Sequence, residues 1–176
     1  PDMAMFGKAL GNGYAITAII GRREIMEAAQ TTFISSTFWT ERIGPTAALA
    51  TLDVMSRTES WSQITKTGEA ITQRWHDLAK QHELKITTGG LPSLTNFTFE
   101  SPNALAYKTL ITQDMLNQGF LASNSVYVCT EHTQEVVDEY FTLLDPIFQK
   151  IKQCEDGKDV MSLLNGPICD SGFKRL

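Results

Sequence analysis

Between residues 133 and 153, Val136, Val137, Tyr140, Phe141, Leu144, Ile147 and Ile151 recur with three- and four-residue spacing. Such a stripe makes a stable helix only when it is covered, so the chain must supply a second layer for it. Candidate cover lies upstream. LKITTGG and LTNFTF read as two strands separated by a Gly-Gly-Leu-Pro turn, with Phe97 and Phe99 on one face by the two-residue period. A helix over 60–82 has Ile64, Ile71, Trp75 and Leu78 on its dry side, and Lys66, Glu69, Arg74 and Asp77 on its wet side. A helix over 103–118, with Leu105, Leu110, Met115 and Leu116 inward, stops at Gly119, and FLASNSVYVCT holds one or two short strands. Thr133 is a cap candidate for the last helix, with Glu135 and Glu139 adding favourable charge near its start. Helix, strand, strand, helix, strand, helix is the order of a small α+β domain.

The first third of the chain follows a different pattern. Residues 1–13 read as irregular, punctuated by Gly7, Gly11 and Gly13. AITAII reads as a buried strand stopped at Gly21, and REIMEAAQ as a short helix. TTFISSTFWTERIG is rich in hydroxyls and aromatics and has no clean period. From Gly44 and Pro45 runs a helix that is small-sided and nearly apolar as far as Asp53, so packing on most of its surface is expected. The break near Arg57–Ser60 divides the chain into candidate domains 1–57 and 58–176, with Trp61 and Trp75 expected to anchor the second to its neighbour.

Composition narrows the function classes. With 15 Lys+Arg against 20 Asp+Glu the net charge is -5, which argues against a broad nucleic-acid footprint. No stretch reaches the length of a membrane span, and Lys8 interrupts what would be a signal-peptide core, so a cytoplasmic protein without a membrane partner is expected. Cys129, Cys154 and Cys169 form no CxxC pair and read as reduced thiols, Cys129 as a small buried residue. His76, His82 and His132 lack metal-ligand spacing, so no metal is expected. His132, just ahead of a helix, reads as a helix-start residue with catalysis as the alternative; Arg22-Arg23 reads as a solvated first turn or an anion contact.

The chemically suggestive residue is Lys8, within Phe6-Gly7-Lys8-Ala9-Leu10-Gly11-Asn12-Gly13. Partial burial among Phe, Ala and Leu lowers a lysine pKa and frees the amine to attack an aldehyde as a Schiff base. Neighbouring glycines let a flat cofactor approach the backbone. The same residues also fit a surface lysine whose stem lies on apolar neighbours. GxxxxGK[ST] does not occur, because Ala9 follows Gly7-Lys8.

FGKALGNG followed by AITAIIGRREIM resembles the cofactor-lysine segment of the class III, pyridoxal-phosphate-dependent aminotransferases. The likeness continues through SSTFWTERIGPTAALATLD and GFLASN…EHT, and the branch it most resembles is that of the glutamate-1-semialdehyde 2,1-aminomutases. The resemblance implies an α/β architecture: the C-terminal part of the fold type I, aspartate aminotransferase-like transferases, comprising the end of the large cofactor domain and the small α+β domain. It implies pyridoxal 5'-phosphate (PLP) as cofactor, Lys8 as its Schiff-base lysine and proton shuttle, and Thr37 as a ligand of its phosphate. A hydroxyl with free N–H groups ahead of the helix near Gly44 suits a dianion, and Ser35, Ser36 and Thr40 are alternative donors. The implied reaction moves an amino group between an amino acid or amino-aldehyde and a keto acid or other keto compound, or within one molecule. The implied assembly is a homodimer, with which the nearly apolar helix over 45–56 agrees.

The sequence also departs from the family. Phe38, Trp39, Thr40, Glu41 and Arg42 stand where small residues and Asn-Pro are common, leaving Trp39 either to narrow a substrate pocket or to join a core. Asn124 stands where the aminomutases keep a glutamate, which bears on the glutamate-1-semialdehyde substrate. The family's phosphate loop and the aspartate that pairs with the pyridine nitrogen precede the lysine, and Asp2 is not that aspartate. A first residue of Pro sets the expectation of an incomplete product, inactive alone within an active parent. An amino-acid racemase and a non-catalytic assembly module are the competing readings.

Overall fold

The computed structural model describes residues 1–172. The chain divides into two units, Pro1–Ser60 and Trp61–Leu176.

The first unit is built on a two-stranded antiparallel sheet. Strand β1 (Met3–Phe6) pairs with β2 (Ala18–Gly21), Met3 opposite Gly21 and Phe6 opposite Ala18. Two expectations are corrected here. Residues 3–6 are a strand, not irregular chain, and the AITAII strand is not buried: Ile19 and Ile20 are exposed. A pair of strands has one partner each and no second layer to cover its apolar faces. REIMEAAQ splits into a short helix α1 (Arg23–Met26) and a 3-10 turn over Glu27–Thr31. Arg22 pairs with Asp2 at 2.8 Å and with Glu24 at 3.4 Å, so its charge is engaged locally.

Helix α2 (Ile43–Thr58) begins two residues before Pro45, which remains in the first turn, where its missing N–H breaks no helical bond. The expected packing on most of its surface is not found. Gly44 and Ala48 are buried, but Leu49, Leu52 and Val54 are exposed. Glu59, at φ 47, ends the helix in the left-handed region.

In the second unit a helical layer covers one three-stranded sheet. Helix α3 (Ser60–Gln81) is followed by β3 (Ile86–Leu91), β4 (Leu94–Phe99), helix α4 (Ala104–Asn117), β5 (Ser125–Tyr127) and helix α5 (Gln134–Glu155). The sheet order is β3-β4-β5, antiparallel throughout. Gly89 and Gly90, expected in the turn, are strand residues; Pro92 and Ser93 make the turn between Leu91 and Leu94. Gly90 has φ +87, and a Cβ there would stand 2.2 Å from the Leu94 carbonyl oxygen, so only glycine fits.

Phe97 is the centre of the core. It is fully buried, and its ring lies 4.7 Å from Trp75, 5.6 Å from Phe99 and 5.9 Å from Phe148. The α5 stripe supplies Val137, Tyr140, Phe141, Leu144, Ile147 and Ile151, joined by Phe148 and Cys154; Val136 is exposed. Thr133 caps the helix by accepting the Val136 N–H.

Trp75 is not an anchor to a neighbouring domain. It is fully buried in its own unit, and its indole N–H donates to the Tyr140 hydroxyl at 3.0 Å, while Trp61 is exposed. Burial pushes the Tyr140 phenol upward against that bond. Burial also raises Tyr107, to about 12, reinforced by its 2.5 Å hydrogen bond to the Glu155 carboxylate. On α4, Leu105 and Leu116 point outward; Ala106, Tyr107, Leu110, Ile111 and Met115 face the core. Gly119, at φ +85, follows the helix as expected. FLASNSVYVCT supplies one strand, and Cys129, outside it, is exposed. The tail docks on α4: Gln113 donates to the Leu163 carbonyl at 3.0 Å and accepts from the Asn165 N–H at 2.7 Å.

The hairpin of β3 and β4 lies directly on α3 at Gly68, where an added Cβ would stand 1.7 Å from the Pro92 carbonyl oxygen and 2.5 Å from its carbon. Alanine is ordinarily about 1 kcal/mol better than glycine within a helix. Here that sign reverses, because both offending atoms are backbone. Gly68→Ala is expected to cost about 3 kcal/mol, the upper end for overpacking. Thermal unfolding of the variant beside wild type checks it.

Candidate active site around Lys8

Lys8 stands one residue past β1, after Gly7, and opens a 3-10 turn over Lys8–Leu10. Its backbone is left-handed, at φ 49, and its carbonyl accepts the N–H groups of Gly11 and Asn12 at 3.1 and 3.2 Å. Gly11 is buried, and a Cβ there would meet the Tyr14 carbonyl oxygen at 2.1 Å. The glycine frame therefore folds the chain back tightly and turns Lys8 outward. The expected partial burial of Lys8 is not found: the residue is exposed. Of the apolar neighbours that suggested burial, Phe6 and Ala9 are themselves exposed and Leu10 is half-buried.

Lys8 lines a groove of about 1170 Å³ within the first unit. One wall is the lysine loop and its continuation, including Asn12, Tyr14 and Ile16. The other is the hydroxyl-rich segment, through Ser35, Ser36, Phe38 and Trp39. The structure thus brings together two segments about thirty residues apart in sequence. Thr37 is exposed between Ser36 and Phe38, but it is not among the lining residues. Trp39 joins the groove wall rather than a core: it is 75% exposed and has φ 35.

The free N–H groups expected ahead of α2 are already taken. The Glu41 carboxylate accepts from the Ile43 N–H through one oxygen and from the Gly44 N–H, at 3.2 Å, through the other. A dianion at this helix start would meet the Glu41 carboxylate in place of the free N–H groups expected there. The sequence reading missed Glu41 because it started the helix at Gly44. An acid two residues ahead of a helix was the available signal.

His132 plays a local part: its Nδ1 accepts the Cys129 N–H at 3.0 Å. It also borders an apolar groove in the second unit, beside Phe120, Tyr127 and Val136.

For PLP the first-unit residues offer an amine for the aldehyde, hydroxyls for the phosphate, and aromatic faces at Tyr14, Phe38 and Trp39 for the ring. That donor set fits the group on the side the chain supplies.

The sequence profile of the class-III aminotransferases matches residues 1–140. The chain belongs to the class-III aminotransferase family. It is 30% identical over 141 residues to a 3-aminobutyryl-CoA aminotransferase of Cloacimonas acidaminovorans, covering 77% of this chain and 34% of that one. It is 26% identical over 169 residues to a glutamate-1-semialdehyde 2,1-aminomutase of Methanocaldococcus jannaschii, covering 86% of this chain and 39% of that one. Among solved structures, the PLP internal aldimine form of the FumI protein of Sphingopyxis sp. MTA144 superposes with a TM-score of 0.79 at 21% identity, over 93% of this chain and 40% of that one. The fold is therefore the corresponding part of the fold type I transferases. The chain spans well under half the length of these relatives. Among the described residues no helix is long and apolar enough to cross a membrane.

Proposed function

We propose that this chain is the C-terminal part of a PLP-dependent aminotransferase or aminomutase, with residues 1–57 the end of the cofactor domain and 58–176 the small domain. In this reading Lys8 holds the cofactor through its aldehyde and Thr37 contributes to holding its phosphate. When bound, PLP supplies an electron sink for the carbon beside the transferred nitrogen. Lys8 then serves as a base already in place: its Nζ, once released, takes and returns a proton, which avoids the entropy of recruiting one. The substrate is a small amino compound or keto acid. The assembly is a homodimer, which the exposed Leu49, Leu52 and Val54 of α2 support, and the setting is cytoplasmic, consistent with three free cysteines.

What supports this reading most is that Lys8, in the family's lysine segment, shares one groove with the hydroxyl-rich segment. The test is borohydride reduction after adding PLP, read by intact mass and peptide mapping. One phosphopyridoxyl group on Lys8, absent from the other lysines, is expected. Labelling scattered over many lysines overturns the assignment.

A further inference from the structure

The two walls of the Lys8 groove belong to separate stretches of chain, and short-range contacts hold each one. The lysine loop is locked by Gly11 packing on Tyr14. It continues into Ala15 and Ile16, on which the start of α2 rests: a Cβ at Gly44 would stand 2.6 Å from the Ala15 carbonyl oxygen and 3.2 Å from the Ile16 Cβ. The hydroxyl-rich wall leads directly into α2. It is joined to α2 by a short run of hydrogen bonds. The Phe38 N–H donates to the Ser36 Oγ at 3.1 Å, the Glu41 N–H donates to the Phe38 carbonyl at 2.6 Å, and the Glu41 carboxylate takes the Ile43 and Gly44 N–H groups. Glu41 takes part in the last two of these links, and one of its oxygens holds the N–H of Gly44, the residue that packs on the lysine side.

We infer that Glu41 is a positioning residue, clamping the loop that carries Ser35 to Thr40 onto the same helix start that registers the Lys8 loop. Its geometry agrees with its charge, since a carboxylate is favoured where unpartnered helix N–H groups gather. The clamp also accounts for Trp39, whose left-handed φ of 35 is costly for a bulky residue and persists only where the surrounding bonds over-determine it. Loss of the carboxylate releases the loop while leaving Lys8 and its glycine turn in place.

The inference rests on the proposed function only for what the loop presents, namely hydroxyls to a phosphate. Its test therefore has two arms, both on the 176-residue chain as wild type, E41Q and E41A. The first arm measures amide hydrogen exchange over residues 36–46. E41A is expected to raise exchange at least tenfold at Phe38, Ile43 and Gly44, with E41Q intermediate because it keeps one acceptor oxygen, and exchange in the second unit is expected to stay unchanged. Unchanged exchange at these amides overturns the clamp. The second arm compares Lys8 labelling by PLP with labelling by pyridoxal, which lacks the phosphate. Wild type is expected to favour PLP, and E41A to lose that preference severalfold while its labelling by pyridoxal holds steady. Mere destabilisation lowers both. A preference that survives in E41A, or rises because the freed N–H groups take the phosphate, overturns the positioning role. Wild-type labelling without selectivity for Lys8 overturns the proposed function instead, and the exchange arm still decides the clamp.

Discussion

Replacing Lys8 by alanine is expected to remove the single reduced pyridoxyl group altogether, with no compensating label on Lys66 or Lys80. The reason is local. Lys8 lines the groove, one residue past a strand and at the start of a turn that packs tightly at Gly11. In a protein that joins this chain to the remaining region its relatives carry, amino transfer is expected to fall by about 10²–10⁴-fold, the span of one positioned proton-transfer group. Lys8→Arg discriminates between charge and nucleophilicity. It keeps the cation but not a titratable amine, and is expected to fail as completely as alanine. Reductive labelling with peptide mapping reads the first effect, and single-turnover absorbance of the completed protein reads the second. A Lys8→Ala protein that still carries one discrete adduct and still turns over moves the chemistry to another residue.

Phe97→Ala is expected to destabilise the second unit by about 3–5 kcal/mol, as large aromatic truncations in packed cores do. A domain of this size holds about 5–15 kcal/mol in total, so the loss is a large share of it. Phe97 is fully buried and touches an aromatic ring on each of α3, β4 and α5, so no single neighbour can collapse into the space. The adjacent Thr98 is exposed on the opposite face of the strand, and Thr98→Ala is expected to lie within about 0.5 kcal/mol of wild type. Urea unfolding followed by tryptophan fluorescence compares the two, since Trp75 reports directly on the Phe97 environment. A small, equal shift for both variants contradicts the core assigned to this sheet.

The readability of the chain follows the physics of each region. In the second unit, period and burial coincide. The stripe from Val137 to Ile151 and the pair Phe97 and Phe99 lie as their spacing requires, because each element is covered on one face by its own unit. Where the apolar set is broad, as on α4, period alone chose the wrong ends: Leu105 and Leu116 are outside, while Ala106 and Ile111, with no polar alternation to mark them, are inside. In the first unit, apolar character did not mean burial. Ile19, Ile20, Leu49 and Leu52 are exposed because a two-stranded sheet, the four-residue α1 and the single long helix α2 do not cover them.

The sequence by itself determined the local chemistry: a lysine in a glycine frame, a family likeness, two strands ending in a paired Phe face, and a capped helix with one wet side. Each depends on residues close in the chain, whose geometry is set by φ preferences and by two- or three-to-four-residue periods. Only the tertiary structure decided that Trp75 belongs to its own core and that Gly68 is where the hairpin meets α3. Those outcomes turn on which atoms of segments far apart in the chain come within a few ångströms of one another, and no local period encodes that distance.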